Sequence, residues 1–87
     1  MAQNRNLTQP RVLIVEDDAN LRALLAASLQ ELSFEVDAAA DGLEAAQKIK
    51  ESVYDILITD LRLPGLGGEE VLRQAKALYP DLIVIVA

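Results

Sequence analysis

The chain contains no cysteine and no histidine. The first absence removes a disulfide frame, a thiolate nucleophile and a sulfur-ligated metal. The second removes imidazole acid–base catalysis, a Ser-His-Asp arrangement and a phosphohistidine carrier. Aromatic residues are only 3% of the sequence, so any core must be built from Leu, Ile, Val and Ala. Basic residues number 8 against 14 acids, a net charge of −6, and they form no run. Nothing in that balance would displace counterions from phosphates, which excludes nucleic-acid binding by this segment as an expectation. The longest apolar run, Leu82 to Ala87, is far below the ~20 residues that a bilayer requires. The leader MAQNRNLTQP, residues 1–10, is polar and lacks the apolar centre of a signal peptide, so a cytoplasmic location is expected. Chemistry is left to carboxylates, hydroxyls, Lys, Arg and backbone amides.

What is present is globular in composition: 52% hydrophobic and 25% charged over 87 residues. That length makes one small domain, 11–87, of marginal stability, since such chains bury only about two-thirds of their unfolded surface. Arg11-Val12-Leu13-Ile14-Val15 reads as a strand, halted by Glu16-Asp17-Asp18. Leu21, Leu24, Leu25, Ser28, Leu29 and Leu32 recur at helical spacing, predicting an amphipathic helix over about Ala19 to Leu32. Phe34 to Ala39 reads as a second, weaker strand. Asp41, with Glu44 three residues on, has the pattern of a capping box. The helix it opens runs to about Ser52, with Leu43, Ala46 and Ile49 inward. Asp55 to Asp60 is a third strand, again ending in an acid. Leu61 to Gly68 holds Pro64, Gly65, Gly67 and Gly68, too many breakers for regular structure. A third helix, from about Glu69 to Leu78, buries Val71, Leu72, Ala75 and Leu78. Tyr79-Pro80-Asp81 punctuates it, and Leu82 to Val86 is a continuously apolar fourth strand.

Strands separated by helices are parallel, with right-handed crossovers and helices on both faces. The fold class is therefore α/β, an open sheet of flavodoxin-like order 2-1-3-4. In such sheets sites form beyond the carboxyl ends of the strands, where strand order reverses. That order makes the first and third strands neighbours and brings Glu16, Asp17 and Asp60 to one end. Two unit charges ~4 Å apart repel by about 4 kcal/mol at an effective dielectric of 20, so three ionised acids call for a cation. Oxygen-only ligands with room for water suit Mg²⁺, or Mn²⁺, rather than zinc. Such a metal cancels the repulsion between a carboxylate nucleophile and an anionic phosphoryl group. The glycines after Asp60 let backbone amides face a phosphate.

Plainer roles compete at each position. An acid at a strand end is ordinarily a solvated loop residue. Asp18 reads better as a helix N-cap than as a ligand. Gly65 and Gly68 also serve turn geometry and a helix start. Thr59 and Ser28 lack a base to activate them and read as structural. Lys48, Lys50 and Lys76 lie on helices as solvated charges. The joint pattern outweighs these.

That pattern resembles the receiver domain of two-component response regulators. Arg11-Val-Leu-Ile-Val-Glu-Asp-Asp18 resembles its first strand and acidic pair, and Leu21-Arg22 with the leucines that follow resembles its first helix. Asp41-Gly42-Leu43-Glu44-Ala45 is similar to its second-helix entry. Tyr54-Asp55-Ile56-Leu57-Ile58-Thr59-Asp60-Leu61-Arg62-Leu63-Pro64-Gly65 is similar to its phosphoacceptor strand and Pro-Gly turn. The resemblance covers Arg11 to Ala87. It implies that Asp60 is phosphorylated, that Asp17 ligates the metal directly and Glu16 through a bound water, and that the backbone carbonyl of Arg62 completes the protein ligands. Glu16 stands where Asp is commoner; Asp17-Asp18 is the other register for the acidic pair. A sensor histidine kinase or phosphotransfer protein is the implied donor, and the chain is an acceptor rather than an enzyme.

The resemblance also implies more domain than the sequence contains. The family has a Ser or Thr directly after the fourth strand, then a helix, a fifth strand with a phosphate-contacting Lys, and a fifth helix. The alternative function is accordingly a partial receiver domain that self-associates through its fourth strand, as a homo-oligomer with little phosphoryl transfer. Two other readings fail on residues. A haloacid-dehalogenase-like hydrolase expects an acid two residues after the nucleophile, where Arg62 stands. A dinucleotide-binding domain expects a Gly-rich turn after the first strand, where acids stand.

Overall fold

A computed structural model of the chain describes residues 9–59 and 68–86. Four strands alternate with three helices: β1 Arg11–Val15, α1 Ala19–Glu31, β2 Glu35–Ala39, α2 Gly42–Glu51, β3 Ile56–Thr59, α3 Gly68–Leu78 and β4 Ile83–Val86. The strands form one sheet in the order β2-β1-β3-β4. Every pairing is parallel, as the alternation with helices requires. Leu13 stands level with Asp37 and Leu57, and Leu57 with Val84; Val15 stands level with Ala39 and Thr59. The order and direction of the strands are those expected from the sequence.

Side chains alternate across a strand, so Leu13, Val15, Ala39 and Leu57 share one face. On that face they pack with Ala45 and Ile49 of α2 and with Val71 and Ala75 of α3, and Tyr54 and Leu82 close the cluster. The core is aliphatic, as the scarcity of aromatics demands. α1 packs on β1 and β2 from the other face, where Val12 and Ile14 are buried.

The helix faces correct several expectations. In α2 the inward stripe is Gly42, Ala45, Ala46 and Ile49, whose spacing follows the helical repeat. Leu43 lies off that stripe and is 66% exposed. In α3, Val71 and Ala75 are inward while Leu78 is exposed. The next residue on that stripe is Tyr79, which packs against the core instead. α1 contains no buried residue at all. Leu21 and Leu24, and Leu32 at its C-cap, expected inward, are exposed, Leu24 by 63%. The cause is local: α1 lies over β1 and β2, and among the described residues nothing covers that face of β3 and β4 to complete a groove for its leucines.

The ends of α1 are well specified. Asp18 caps its start, with Oδ1 accepting from the amides of Asn20 and Leu21 at 2.9 and 3.0 Å. At its end, Phe34 N–H donates to the Leu29 carbonyl and Ser33 N–H to that of Gln30, the Schellman arrangement. Ser33 occupies the left-handed position this closure needs, at φ 72°. α2 opens on Asp41, whose Oδ1 accepts from Glu44 N–H, while Glu44 Oε1 accepts from Ala40 N–H. The capping box expected there is thus formed with its return bond one residue early.

Candidate functional site

The carboxyl ends of β1, β2 and β3 lie side by side, since Val15 is level with both Ala39 and Thr59. Glu16 and Asp17 follow β1 directly, on the turn into α1. Glu16 is half-buried and Asp17 exposed. The turn is held by its own polar groups. Glu16 N–H donates to the Ala39 carbonyl at 3.0 Å, which ties the turn to the end of β2. Glu16 Oε2 accepts from Asp18 N–H at 3.0 Å. From α1, Arg22 Nη1 donates to the Glu16 carbonyl at 2.8 Å. Asp18 is occupied as the α1 cap, the role favoured for it by the sequence. That leaves Asp17 as the acid of the turn that points to solvent with no structural task of its own in the hydrogen bonds described.

Thr59, the last residue of β3, is completely buried, consistent with the structural part expected of it. Asp60, Arg62 and the Pro-Gly turn expected after β3 lie outside the described residues, as do most of the polar leader and Ala87. The described residues alone contain no group of three or more acids placed to hold a metal ion. The expected set of Glu16, Asp17, Asp60 and Arg62 therefore has two members described, adjacent on one turn.

A second polar cluster, at the amino ends of the strands, had no signal in the sequence. Arg11, Glu35 and Asp37 share the α2 face of the sheet. Arg11 Nη2 lies 3.3 Å from Asp37 Oδ2. Its Nε lies 3.0 Å from Glu35 Oε1, too oblique for a hydrogen bond, so that pairing is Coulombic. The guanidinium also stands over the Tyr54 ring, 5.2 Å from its centre. Tyr54 OH donates to Asp37 Oδ2 at 2.6 Å. Burial of the phenol, then that bond to a carboxylate, pushes the Tyr54 pKa well above its ordinary value. Arg11 N–H donates to Asp55 Oδ2 and Asp55 N–H to the Arg11 carbonyl, each at 2.8 Å. The cluster fastens β1, β2 and the approach to β3 together.

Two further contacts shape this end. Lys76, expected to be merely solvated, donates from Nζ to the carbonyls of Pro80 and Leu82 at 2.8 and 3.0 Å and so closes the turn from α3 into β4. A hollow of about 430 Å³ is lined by Val53, Tyr54, Tyr79 and Ile83, among others. It lies at the opposite end of the sheet from Glu16 and Asp17, where parallel α/β sheets do not ordinarily place their chemistry.

Among known families, the response regulator receiver domain model matches residues 12–87. The chain is 45% identical over 67 residues to the regulatory protein VanRB of Enterococcus faecalis, an alignment covering 77% of this chain and 30% of that protein. It is 38% identical over 80 residues to the transcriptional regulatory protein PrrA of Mycobacterium tuberculosis, covering 92% of this chain and 34% of PrrA. The chain thus spans about a third of the length of the curated relatives it matches. Among solved structures it superposes on the chemotaxis response regulator CheY4 of Vibrio cholerae with a TM-score of 0.85 and 29% identity, over 90% of this chain and 67% of that one. It superposes on the response regulator TrrA of Thermotoga maritima, in complex with Mg²⁺-BeF, with a TM-score of 0.79 and 36% identity, over 90% of this chain and 66% of TrrA.

Proposed function

The chain belongs to the response regulator receiver domain family, and from that premise we propose that it accepts a phosphoryl group on Asp60 in two-component signalling, with Mg²⁺ held by Glu16, Asp17, Asp60 and the Arg62 carbonyl. The observation that carries this is the register of Val15 opposite Thr59 on adjacent parallel strands. Glu16 and Asp17 come next in the chain after one strand, and Asp60 comes next after the other. Their donors are all oxygen, the set that suits a hard divalent cation. Mn²⁺ would fit the same donors.

When bound, Mg²⁺ supplies positive charge against which an ionised carboxylate and a phosphoryl group can approach each other. The rest falls to the protein. An Asp60 carboxylate oxygen attacks phosphorus, the new P–O bond forms as the bond from phosphorus to the donor breaks, and the electron pair leaves with the donor. The donor, as membership of the receiver domain family implies, is a phosphohistidine of a sensor kinase or phosphotransfer protein. The chain is then the acceptor and not the enzyme. Its output lies elsewhere in a longer protein, by analogy with the relatives named as transcriptional regulators. Among the described residues no helix is long and apolar enough to cross a membrane.

The test is incubation with acetyl phosphate and Mg²⁺ followed by intact mass measurement. One added phosphoryl group, absent in Asp60→Asn and absent without the metal, is the expected result. An adduct that survives Asp60→Asn removes the assignment.

A second reading has its own support. β4 pairs with β3 on one side only among the described residues, and its Ile83 and Ile85 are 59% and 49% exposed. An apolar edge strand of this kind recruits other strands. The second reading is therefore self-association of this segment through β4, with little phosphoryl transfer.

A further inference from the structure

We propose that Arg22 is a positioning residue for the acid turn, acting on Asp17 through the peptide bond that precedes it; this rests on the reading of Asp17 as a metal ligand. The Glu16 carbonyl belongs to the peptide that joins Glu16 to Asp17. Arg22 Nη1 holds that carbonyl at 2.8 Å. The amide on the other side of Glu16 is held by the Ala39 carbonyl at 3.0 Å, and the Glu16 side chain by Asp18 N–H. The orientation of the Glu16–Asp17 peptide plane is therefore set by a side chain, and that plane fixes the direction in which the Asp17 carboxylate leaves the turn.

The anchor point of Arg22 is itself rigid. Its own N–H donates to the Asp18 carbonyl at 2.8 Å, as part of the first turn of α1. Arg22 is half-buried and its bond to the Glu16 carbonyl is part-buried, so water competes less with that hydrogen bond. The bond goes to a neutral carbonyl. An arginine paired with the Asp17 carboxylate would compete with a cation for it, whereas one gripping the backbone leaves both carboxylate oxygens free. Its positive charge by itself disfavours a nearby divalent cation, so the gain it gives comes from orientation and not from charge.

Groups that orient metal ligands without touching the metal typically change affinity by about 10–100-fold when removed. Arg22→Met keeps the apolar stem and the helix propensity but deletes the donor. Arg22→Lys keeps a charged donor. The measurement is a titration of the chain with MgCl₂, following the amide resonances of Asp17 and Asp18, with thermal melting recorded in parallel. Arg22→Met is expected to weaken Mg²⁺ binding about tenfold at an unchanged melting temperature, and Arg22→Lys to recover most of the loss. Affinity in Arg22→Met equal to that of the parent overturns the proposal. So does a loss that simply tracks a lowered melting temperature, or a Lys variant as weak as the Met one. If the parent itself gives no saturable shift, or Asp17→Asn binds equally well, the metal-site reading fails first and takes this role with it.

Discussion

Tyr54 OH donates to Asp37 Oδ2 across 2.6 Å, from the residues just ahead of β3 to the far edge of the sheet. The bond joins residues 17 apart in sequence, and the same carboxylate oxygen is 3.3 Å from Arg11 Nη2. Tyr54→Phe removes the donor while leaving Asp37 its arginine, so the cost falls near the low end for a charged hydrogen bond, about 1.5 kcal/mol. The phenol also confers a pH dependence. Its folded pKa is raised above the ordinary 10.0, so the neutral form is favoured by folding. That contribution is fully present below pH 10.0 and is lost as pH rises through the folded value. Urea unfolding between about pH 8 and 11 should show an alkaline decline that Tyr54→Phe reduces. Equal slopes for the two proteins would mean that Tyr54 is not the group responsible.

Ser33 closes α1 in the left-handed region, at φ 72°. A side chain there costs roughly 1–2 kcal/mol, against which glycine loses about 0.4–1 kcal/mol through its freer unfolded chain. Ser33→Gly is therefore expected to stabilise by about 0.5–1 kcal/mol, read as a higher denaturation midpoint at constant slope. A destabilised variant would mean that the serine hydroxyl contributes something the backbone geometry does not show.

Leu13 and Leu24 separate burial from mere hydrophobicity. Leu13 is fully buried at the centre of the sheet, and Leu24 is 63% exposed on α1. Leu13→Ala should cost about 2–5 kcal/mol, through lost transfer energy and the cavity left behind. Leu24→Ala should stay within about 0.5 kcal/mol. Comparable losses at both positions, measured by thermal melting, would show that α1 is packed more deeply than its exposed leucines imply.

That contrast also marks what the sequence could reveal. β-branched runs halted by acids, and helices between them, specify the order and direction of the strands, because parallel crossovers leave few alternatives. Asp18 and Asp41 were readable as caps from type and position alone. The rotation of each helix was not. Leu43 and Ala45 both lie near an apolar stripe, and only contact with the sheet selects Ala45. For α1 the helix itself was readable, but the leucines expected to face inward are exposed among the described residues. The site was legible as far as Glu16 and Asp17 on one strand end, with β3 adjacent. Arg22 was visible only as part of a resemblance, since no periodicity ties a side chain to a carbonyl six residues back. The Arg11–Asp37–Tyr54 cluster spans up to 44 residues once Asp55 is included, a separation at which composition and spacing carry no signal.

Ile85 offers the sharpest separation between the two functional readings. It sits in β4, level with Ile58 of β3, and is 49% exposed. Its neighbour on the same face two residues back, Ile83, is more exposed still. A charge on an edge strand is a recognised barrier to edge-to-edge pairing, because it must be desolvated on association. Ile85→Lys is thus expected to lower the mean mass in sedimentation, with a melting change of no more than about 1 kcal/mol given the exposure of the site. Glu16, Asp17 and Asp60 are untouched by this change, so acetyl phosphate labelling should persist. Association that survives the substitution with melting intact would place the contact elsewhere than β4. Labelling lost along with association would mean that Ile85 also bears on phosphoryl acceptance, through the assembled form or through the strand β3 beside it.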